Sequence, residues 1–444
     1  MGDIMGYRND YDYFELDNFD DGIDSRDYRR RQPQRRQSKY NGRPVYNVVN
    51  GRKSGRRRIR KRIRNRVIIV STAIFLLIML IVLLTVMFKG CSESADQTLA
   101  TLSTDTKPVS GVENETKPPV NTDRFANLDK ELKPSYFITP EIKDDNTMGE
   151  SAYNIYVWNK QGYELFGSSE EKAFTYADTI NGFANKLGDG VKVYDMVIPN
   201  HTEMGLPQRL KDSEAPSGSQ SENIKNIYSS LSDKVTPINC YNYLAEHNDE
   251  YIYFGSDHHW TGLGAYYAYS AFAKSTEQDV LSLEDCIEHT IDGFTGSFIN
   301  SHSGLDSDSV HYWEFPYDVT MDISYGDGTS GGFYDSPYYQ YAEGGSNTYG
   351  VFLMGDNAQT VLKSSSPKAE EGKKIAIVKE SYGNALAPYF TYNYQEVHVI
   401  DFRHFNGNFV DYCKENGIEE VLFANGVMSA NTQIQLDSMS GLFP

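Results

Sequence analysis

Two alternating hydrophobic periodicities run along the chain from about residue 136 to its C-terminus. Phe174, Ala177, Ile180, Ala184 and Leu187 follow the spacing of one helix face, after an acidic first turn and before a terminating glycine. Short apolar runs of strand composition separate this helical pattern from others like it. Strands are predicted at 191–199, 235–240, 251–254, 373–379, 396–401 and 421–426, and further helices at 221–231, 262–275, 382–390 and 408–416.

The alternation of helix and strand predicts an α/β fold, in which a mostly parallel sheet is flanked by helices. Residues 290–349 interrupt this pattern, because they are rich in Gly, Ser, Asp and Tyr and have no helical period. We expect an irregular or β-rich insertion there, with loops that lie over the sheet. The predicted globular domain comprises residues 136–444.

A continuous apolar run at residues 67–88 has no charge, no proline and no glycine. As a helix it would be roughly 33 Å long, enough to cross the hydrocarbon core of a bilayer. A buried globular helix is the alternative, but such helices are rarely apolar over this length. A cleaved signal peptide is disfavoured, because 66 residues precede the run. The sequence therefore predicts one transmembrane helix.

Charge is distributed unequally on the two sides of this run. Residues 1–66 contain 19 Lys and Arg against 9 Asp and Glu, a net charge of +10, whereas residues 89–444 carry −29. Basic residues favour the cytoplasmic side of a membrane. We therefore expect a single-pass protein of the cell membrane, with residues 1–66 as a disordered cytoplasmic tail and the C-terminal domain extracellular. Residues 89–135, rich in Thr, Ser and Pro, are predicted to be an extracellular stalk.

The basic cluster at residues 52–66 has two interpretations. It ends directly against the apolar run, which favours a topology signal that also contacts anionic lipid headgroups. Nucleic-acid binding is the alternative, and we predict no nucleic-acid partner. The four cysteines exclude a disulfide-dense scaffold. Cys240, Cys286 and Cys413 are expected to be free thiols.

Two polar clusters follow predicted strands and are candidates for a reactive site. The first contains Asp257, His258 and His259 and comes after the strand predicted at 251–254. The second contains Ser381, at a turn between a strand and a helix, where a serine hydroxyl is exposed and its N–H lies near a helix N-terminus. A serine needs an imidazole base, and a carboxylate fixes the tautomer of that imidazole. Ser381, one of the two histidines, and Asp257 supply these groups.

The same Asp-His-His cluster permits other interpretations. Imidazole and carboxylate are both zinc ligands, so a metal site is one alternative. Adjacent histidine side chains diverge on an extended strand, however, and no HxxxH or CxxC pattern lies nearby, so we predict no metal. A purely structural loop, with histidine donating to the backbone, is the other alternative.

Four blocks of the sequence resemble the bacterial DHHW protein family in the same order. They are residues 192–210, 251–274, 351–357 and 375–405, and the resemblance extends over roughly 150–430. That family is similar to the alginate O-acetyltransferases, whose catalytic domain has an SGNH-hydrolase-like α/β fold. The resemblance therefore implies this fold here.

The resemblance also implies roles for individual residues. Asp257 would orient the imidazole, His259 rather than His258 would be the base, and Ser381 would be the nucleophile. The related enzymes carry Asp-x-His-Trp, which explains the preference for His259. The sequence departs from the family at Glu380, where Asp usually precedes the serine.

Further contacts with an oxyanion or with substrate are harder to assign. The SGNH pattern uses Gly and Asn donors, and the candidates here are Gly355 and Asn357. Asn200 is an alternative, since it follows an apolar strand, although each Asn also suits an ordinary turn. Trp260 and His258 are candidate substrate contacts. We expect His258 to project away from His259, because alternate side chains of an extended segment point to opposite sides.

The predicted function is extracytoplasmic O-acyl transfer, with acetylation of a cell-envelope polysaccharide as the specific expectation. A carbohydrate esterase of the same fold shares this chemistry. A non-catalytic glycan-binding or scaffold protein of the cell envelope is the third possibility. The resemblance implies a membrane-bound O-acyltransferase as the acyl-donor partner. No cofactor is expected, because acyl-coenzyme A is absent outside the cell.

Overall fold

The computed structural model of this chain describes residues 128–443. The predicted tail, the predicted transmembrane helix at 67–88 and most of the predicted stalk lie outside the described residues. Within residues 128–443, no helix is both long enough and apolar enough to cross a membrane.

An eight-stranded sheet forms the centre of the described domain. Its strand order is β5-β4-β13-β11-β12-β10-β8-β9, while β1, β2 and β3 form a separate antiparallel sheet and β6 pairs with β7. The strands are β1 (Glu150–Ala152), β2 (Ile155–Trp158), β3 (Gln161–Glu164), β4 (Lys192–Ile198), β5 (Val235–Pro237), β6 (Ile287–Phe294), β7 (Asp308–Glu314), β8 (Val319–Ser324), β9 (Ser330–Tyr334), β10 (Gln359–Ser364), β11 (Glu370–Lys379), β12 (Tyr394–Asp401) and β13 (Glu420–Gly426).

Helices cover this sheet and make up most of the connections between its parallel strands. Among the described residues, 3₁₀ helices occupy Leu283–Asp285, Ser297–Asn300, Thr348–Val351 and Ala387–Tyr392. The α-helices are α1 (Leu128–Glu131), α2 (Glu170–Leu187), α3 (His201–Gly205), α4 (Gln208–Ser213), α5 (Gln220–Ser230), α6 (Tyr241–Glu246), α7 (Gly262–Ser275), α8 (Tyr382–Leu386), α9 (Phe409–Asn416), α10 (Val427–Ala430) and α11 (Gln433–Ser440).

The sheet combines a parallel part and an antiparallel part. β5, β4, β13, β11 and β12 are parallel, whereas β10 pairs antiparallel with β12, and β8 and β9 continue that pattern outward. The parallel strands are those that alternate with helices in the sequence, so the predicted α/β class is confirmed. The insertion predicted at 290–349 supplies the β6–β7 pair and the outer strands β8 and β9.

Helix α2 shows how local sequence determines an element. Ser169 caps its N-terminus by accepting a hydrogen bond from Lys172 N at 3.3 Å, and Gly188 ends it with φ +83°. The predicted apolar face is correct except at Phe174, which is 45% exposed. The buried stripe passes instead through neighbours such as Tyr176, whose ring faces the sheet and bonds Asp195.

The prediction of a strand at 251–254 is wrong. Only Tyr253 pairs there, in an isolated bridge with Trp260. The chain turns back on itself, since Phe254 N donates to His259 O at 3.2 Å and Thr261 N donates to Ile252 O at 3.0 Å. The apolar composition arises because the side chains of Ile252, Tyr253 and Phe254 are buried in the core although they join no sheet, whereas Tyr251 is 39% exposed. The strand predicted at 235–240 is also shorter and ends at Pro237.

The folded domain begins before residue 136. Asn242 Nδ2 donates to Glu131 O at 2.5 Å, and Asn239 Nδ2 donates to Lys133 O at 2.9 Å. Residues 131–133, assigned to the stalk from sequence, therefore contact the domain. Cys240, Cys286 and Cys413 are free thiols, as predicted.

Candidate active site

Ser381 lies at the carboxyl end of a central parallel strand. It follows β11, which pairs with β12 on one side and β13 on the other, and it occupies the N-cap of α8. Open α/β sheets place ligands beyond the carboxyl ends of their strands. The hydroxyl therefore stands where such folds bind small molecules.

The loop at residues 255–259 brings Asp257 and His259 to this serine. Asp308, at the start of β7, holds the beginning of the loop. Its carboxylate accepts hydrogen bonds from Gly255 N at 3.0 Å, Ser256 N at 2.7 Å and Ser256 Oγ at 2.5 Å. On the far side of the loop, Thr261 caps α7 through Gly264 N at 3.2 Å. The loop is thus fixed at both ends.

Asp257, His259 and Ser381 form a continuous chain of hydrogen bonds. The distance from Asp257 Oδ1 to His259 Nδ1 is 2.5 Å, and the distance from His259 Nε2 to Ser381 Oγ is 2.7 Å. With this geometry an imidazole can take the proton of a serine hydroxyl while the carboxylate stabilises the imidazolium that forms. The three side chains that were predicted from the sequence are therefore linked by hydrogen bonds through His259, although the serine and the histidine are 122 residues apart in the sequence.

Asp257 is held in its ionised form by several partners. Burial alone raises the pKa of its carboxyl group, but the imidazoles of His258 and His259 and several hydrogen bonds more than offset this, so the net pKa lies well below its usual range. Oδ2 accepts from Ser297 N at 2.8 Å, and Oδ1 also accepts from His259 N at 3.0 Å. The carboxylate is consequently both charged and oriented.

Tyr349 contacts the base and the serine together, and sequence reasoning did not find it. Its ring stacks on the His259 imidazole, with centroids 4.0 Å apart and an interplanar angle of 10°. Its hydroxyl donates to Ser381 O at 3.1 Å. Tyr349 lies at the end of the aperiodic insertion, among many other tyrosines, so the sequence contained no signal that distinguished it.

Glu380 fixes the turn that carries the serine. Its Oε1 accepts from Gly426 N at 2.8 Å, and its Oε2 accepts from Tyr382 N at 3.1 Å and lies 3.2 Å from Ser381 Oγ. The side chain therefore ties β13 to the start of α8. The departure from the family pattern at this position leaves the turn well bonded.

His258 does not point away from His259, so that prediction is wrong. The two ring centroids are 3.8 Å apart, and His258 Nδ1 lies 2.9 Å from Ser297 Oγ. The expectation assumed an extended segment, whereas residues 255–259 form consecutive bends. The His258 side chain is 31% exposed.

Trp260, a predicted substrate contact, is completely buried. Its Nε1 donates to Tyr382 O at 3.0 Å, and the Tyr382 hydroxyl donates in turn to His258 O. Trp260 therefore packs the Asp-His loop against α8 and has no surface open to a substrate. The sequence identified an important residue and assigned it the wrong contact.

The side-chain amides of the two asparagines that were candidate oxyanion donors already donate hydrogen bonds within the protein. Asn357 Nδ2 donates to Leu353 O at 2.9 Å and lies 3.4 Å from Gly355 O, within a loop where Gly355 has φ +90°. Asn200 caps α3 through Thr202 N at 3.1 Å, and its Nδ2 donates to Glu164 O at 3.0 Å. These bonds give both residues structural roles.

An ionic network near Ser381 was also missed, in which Lys379 and Asp401 are buried and the Asp356 side chain is 30% exposed. Asp356 accepts from Lys379 Nζ at 3.2 Å and from Asn384 Nδ2 at 2.7 Å, and Arg403 lies 2.8 Å from its other oxygen. Burial raises the pKa of Asp356, but Lys379 and Arg403 lower it by more, so the carboxyl group stays ionised. Asp401 completes the network, at 2.8 Å from Lys379 Nζ. The network joins the ends of β11 and β12 to the loop before β10.

In the part of the chain that the structure describes, two groups of side chains have spacing compatible with a metal ion. Asp257, His258 and His259 each offer an atom within 4.8 Å of the others, as do Asp356, Asp401 and His404. In the first group, both nitrogens of His259 already bond Asp257 and Ser381. In the second, the carboxylates pair with Lys379 and Arg403. Both donor sets are therefore committed to protein partners.

The structure is thus an α/β protein in which a serine, a histidine and an aspartate are hydrogen-bonded at the carboxyl end of a parallel strand. The sequence profile of the DHHW protein family matches residues 120–400, more than half of the chain, and the chain therefore belongs to the DHHW family. No curated protein has a detectable match to it.

Solved structures are similar to the described domain. A DHHW family protein from Eubacterium siraeum DSM 15702 is 28% identical with a TM-score of 0.61, over 67% of this chain and 98% of that one. Bacillus cereus PatB1, solved with a sulfonyl adduct, is 18% identical with a TM-score of 0.53, over 65% of this chain and 100% of that one. At that identity the likeness shows the fold alone. The O-acetyltransferase domain of Pseudomonas putida AlgJ has a TM-score of 0.37, too low to support an argument.

Proposed function

We propose that this protein is an extracytoplasmic O-acyltransferase that acetylates a cell-envelope polysaccharide, through an SGNH-hydrolase-like Ser381-His259-Asp257 triad. One observation carries the proposal: His259 Nε2 lies 2.7 Å from Ser381 Oγ while Nδ1 lies 2.5 Å from a charged carboxylate. A structural histidine needs only one of these partners. Their combination is what activation of a serine hydroxyl requires.

In the first half-reaction, Ser381 Oγ attacks the carbonyl carbon of the acyl donor and His259 Nε2 takes the hydroxyl proton. Asp257 stabilises the imidazolium through Nδ1–H. Collapse of the tetrahedral intermediate breaks the bond to the leaving group, which receives the proton from His259. The acyl group is then bound as an ester to Ser381. The Ser381 N–H, at the N-terminus of α8, is the proposed oxyanion donor.

In the second half-reaction, a glycan hydroxyl replaces the leaving group. His259 removes its proton, the alkoxide oxygen attacks the acyl ester, and Ser381 leaves with the proton returned by His259. The products are an acylated glycan and free enzyme. Water in place of the glycan hydroxyl makes the same steps an esterase reaction, so the acceptor that is used decides between the two activities.

The acyl donor is proposed to arrive through the membrane. The uncharged run at 67–88 and the basic tail at 1–66 support a single-pass anchor, with the domain outside the cell. Such an anchor would hold the domain beside a membrane-bound O-acyltransferase that passes acyl groups across the bilayer. Protease added to intact cells should then degrade the C-terminal domain and spare the tail. Protection of the domain would contradict this topology.

The mechanism is tested by trapping and by transfer. A sulfonyl fluoride should modify the full-length protein at Ser381 with loss of fluoride, as the adduct would form only on an activated hydroxyl. Incubation with an acetyl ester and a polysaccharide should yield acetylated polymer, measured by mass spectrometry. Labelling of many serines, or labelling that persists in His259→Ala, would contradict an activated Ser381. Release of acetate alone, with acceptor present, would assign the esterase activity instead.

A further inference from the structure

Two cavities of the domain share part of their lining. Their volumes are about 330 Å³ and 340 Å³, and both are lined by Asn159, Gln161 and Tyr251. Neither is lined by Ser381 or His259. Sites for small ligands commonly measure ~300–1,000 Å³. The three shared residues place the two cavities side by side, and we refer to the pair as the cleft.

The shared wall of the cleft combines an aromatic ring with side-chain amides. Tyr251 is 39% exposed, and its hydroxyl is fixed by Asp308 Oδ1 at 2.6 Å, so the ring is held in place with part of its surface open to solvent. Gln161 and Asn159 are exposed beside it. A ring of this kind packs against the C–H face of a pyranose, while amides donate to and accept from its hydroxyls.

The charge of the cleft limits what it can bind. Its only lysines are Lys143 and Lys160, and Lys160 is paired with Asp306 at 3.1 Å. Polymers that carry carboxylates or phosphates would be repelled by this excess of negative charge, whereas uncharged sugars would not. The carboxylates along the walls are Glu141, Asp249, Glu250, Asp306 and Asp308.

One end of the cleft adjoins the loop that carries the triad acid. Gly255 and Asp308 both line the second cavity, and Asp308 holds the N–H groups of Gly255 and Ser256. Asp257 is the next residue. A chain bound in the second cavity would therefore contact Gly255, two residues before Asp257 in the same loop.

We propose that this cleft binds an uncharged glycan chain and thereby positions the acceptor polymer beside the catalytic loop. The role as acceptor site rests on the proposed function, but the binding itself does not require any acyl chemistry. The two claims are therefore separable by experiment.

Binding is tested by calorimetry on the full-length protein with three probes: cellohexaose, the hexamer of N-acetylglucosamine, and a galacturonic acid hexamer. We expect at least one neutral hexamer to bind and the acidic hexamer to bind at least about tenfold more weakly, a difference of about 1.4 kcal/mol. Tyr251→Ala should weaken binding by about tenfold or more. Tyr251→Phe keeps the ring and should bind nearly as well as the parent. Tyr341→Ala removes an aromatic ring that is 81% exposed and lines neither cavity, and serves as the matched control.

The outcomes separate the cleft from the triad. Ser381→Ala should bind the neutral hexamer with unchanged affinity while losing acyl transfer. Failure of both neutral hexamers to bind, equal affinity for the acidic hexamer, or equal effects of Tyr251→Ala and Tyr341→Ala would each overturn the cleft proposal. If binding is present but acyl transfer is absent in the parent, the proposed function fails and the cleft proposal stands.

Discussion

Asp257 and Asp195 are both buried carboxyl groups, and their surroundings give them opposite protonation behaviour. Asp257 meets two imidazoles and several N–H donors, which lower its pKa despite its burial. Asp195, on β4, receives one hydrogen bond, from the Tyr176 hydroxyl at 2.7 Å, and burial raises its pKa to about 7. Burial favours the neutral acid, and only enough compensating partners reverse this preference.

The same contrast extends to the atoms around each group. Asn425 Nδ2 donates to the Tyr176 hydroxyl at 3.0 Å, but within residues 128–443 Asp195 Oδ2 and Asn425 Oδ1 are buried without a hydrogen-bond partner. Around Asp257, by contrast, both carboxylate oxygens are bonded. Burial of Asp195 inside the sheet therefore lowers the stability of the fold. Asp257, in the loop, is ionised and can stabilise a charged imidazole. The following variants test this distinction.

The largest effect is expected at the serine. Ser381→Ala should reduce acyl transfer and ester cleavage by about 10⁴-fold or more, since removal of a triad nucleophile typically has this effect. The midpoint of thermal unfolding should change little, because the hydroxyl is partly exposed. Turnover of an acetyl ester measures the loss, with Ser438→Ala, at a partly exposed serine of α11, as control. Activity within a few-fold of the parent would exclude the covalent route.

The next largest effect on the rate is expected from substitution of Asp257. Asp257→Asn keeps the shape but allows an amide N–H to face Nδ1, which favours the wrong imidazole tautomer and should reduce the rate by about 10⁴-fold. His259→Ala should be equally inactive. His258→Ala should retain substantial activity, because its Nδ1 lies against Ser297 Oγ and not against the serine nucleophile.

A metal site would give a different pattern for these variants. Loss of bound zinc from both histidine variants, equal loss of activity, and inhibition by chelator would contradict the triad. Metal content measured on the purified parent and on each variant separates the two mechanisms.

For Asp195, stability rather than activity should change. Its pKa is raised in the folded state, so the fold binds more protons than the unfolded chain between about pH 4 and pH 7, and stability falls with rising pH by about 1.4 kcal/mol per unit from this group. Asp195→Asn should therefore raise the unfolding midpoint at pH 8 and change it little at pH 4. Asp322→Asn, an exposed aspartate on β8, is the control. A variant less stable than the parent at pH 8 would contradict a neutral Asp195.

The smallest effect is expected at Tyr349. Tyr349→Phe keeps the ring on His259 and removes one hydrogen bond to Ser381 O, worth about 0.5–1.5 kcal/mol, so kcat/KM should fall by about tenfold or less. Tyr349→Ala also removes the stacked ring and should lose more. If the Phe variant is as inactive as Ser381→Ala, the hydroxyl has a direct catalytic role that this geometry does not assign.

Sequence periodicity predicted most helices and strands of the fold, but few of the contacts made by the irregular segments between them. Helix α7 has the bounds and the Thr261 cap that were expected, because an apolar helix and its cap are local features. Ser381, Asp257 and His259 were also found, since each lies in a compact motif. Tyr349 lies in a region without period and contacts the site only through the tertiary fold, and Asp356 lies in a recognised block between two candidates that were chosen in its place. The strand at 251–254 failed because burial without pairing produces the same composition as a buried strand.

The conformation of the loop at residues 255–259 depends on Asp308, at the start of β7, which lies about 50 positions further along the chain. Only a few backbone hydrogen bonds join the segments before and after this loop. The loop therefore reaches its final conformation only when β7 packs against it. Contacts between distant segments form late in folding, because closing the intervening chain is entropically costly. During refolding, helical circular dichroism should consequently recover before catalytic competence does. The delay between the two signals would report the docking of the hairpin.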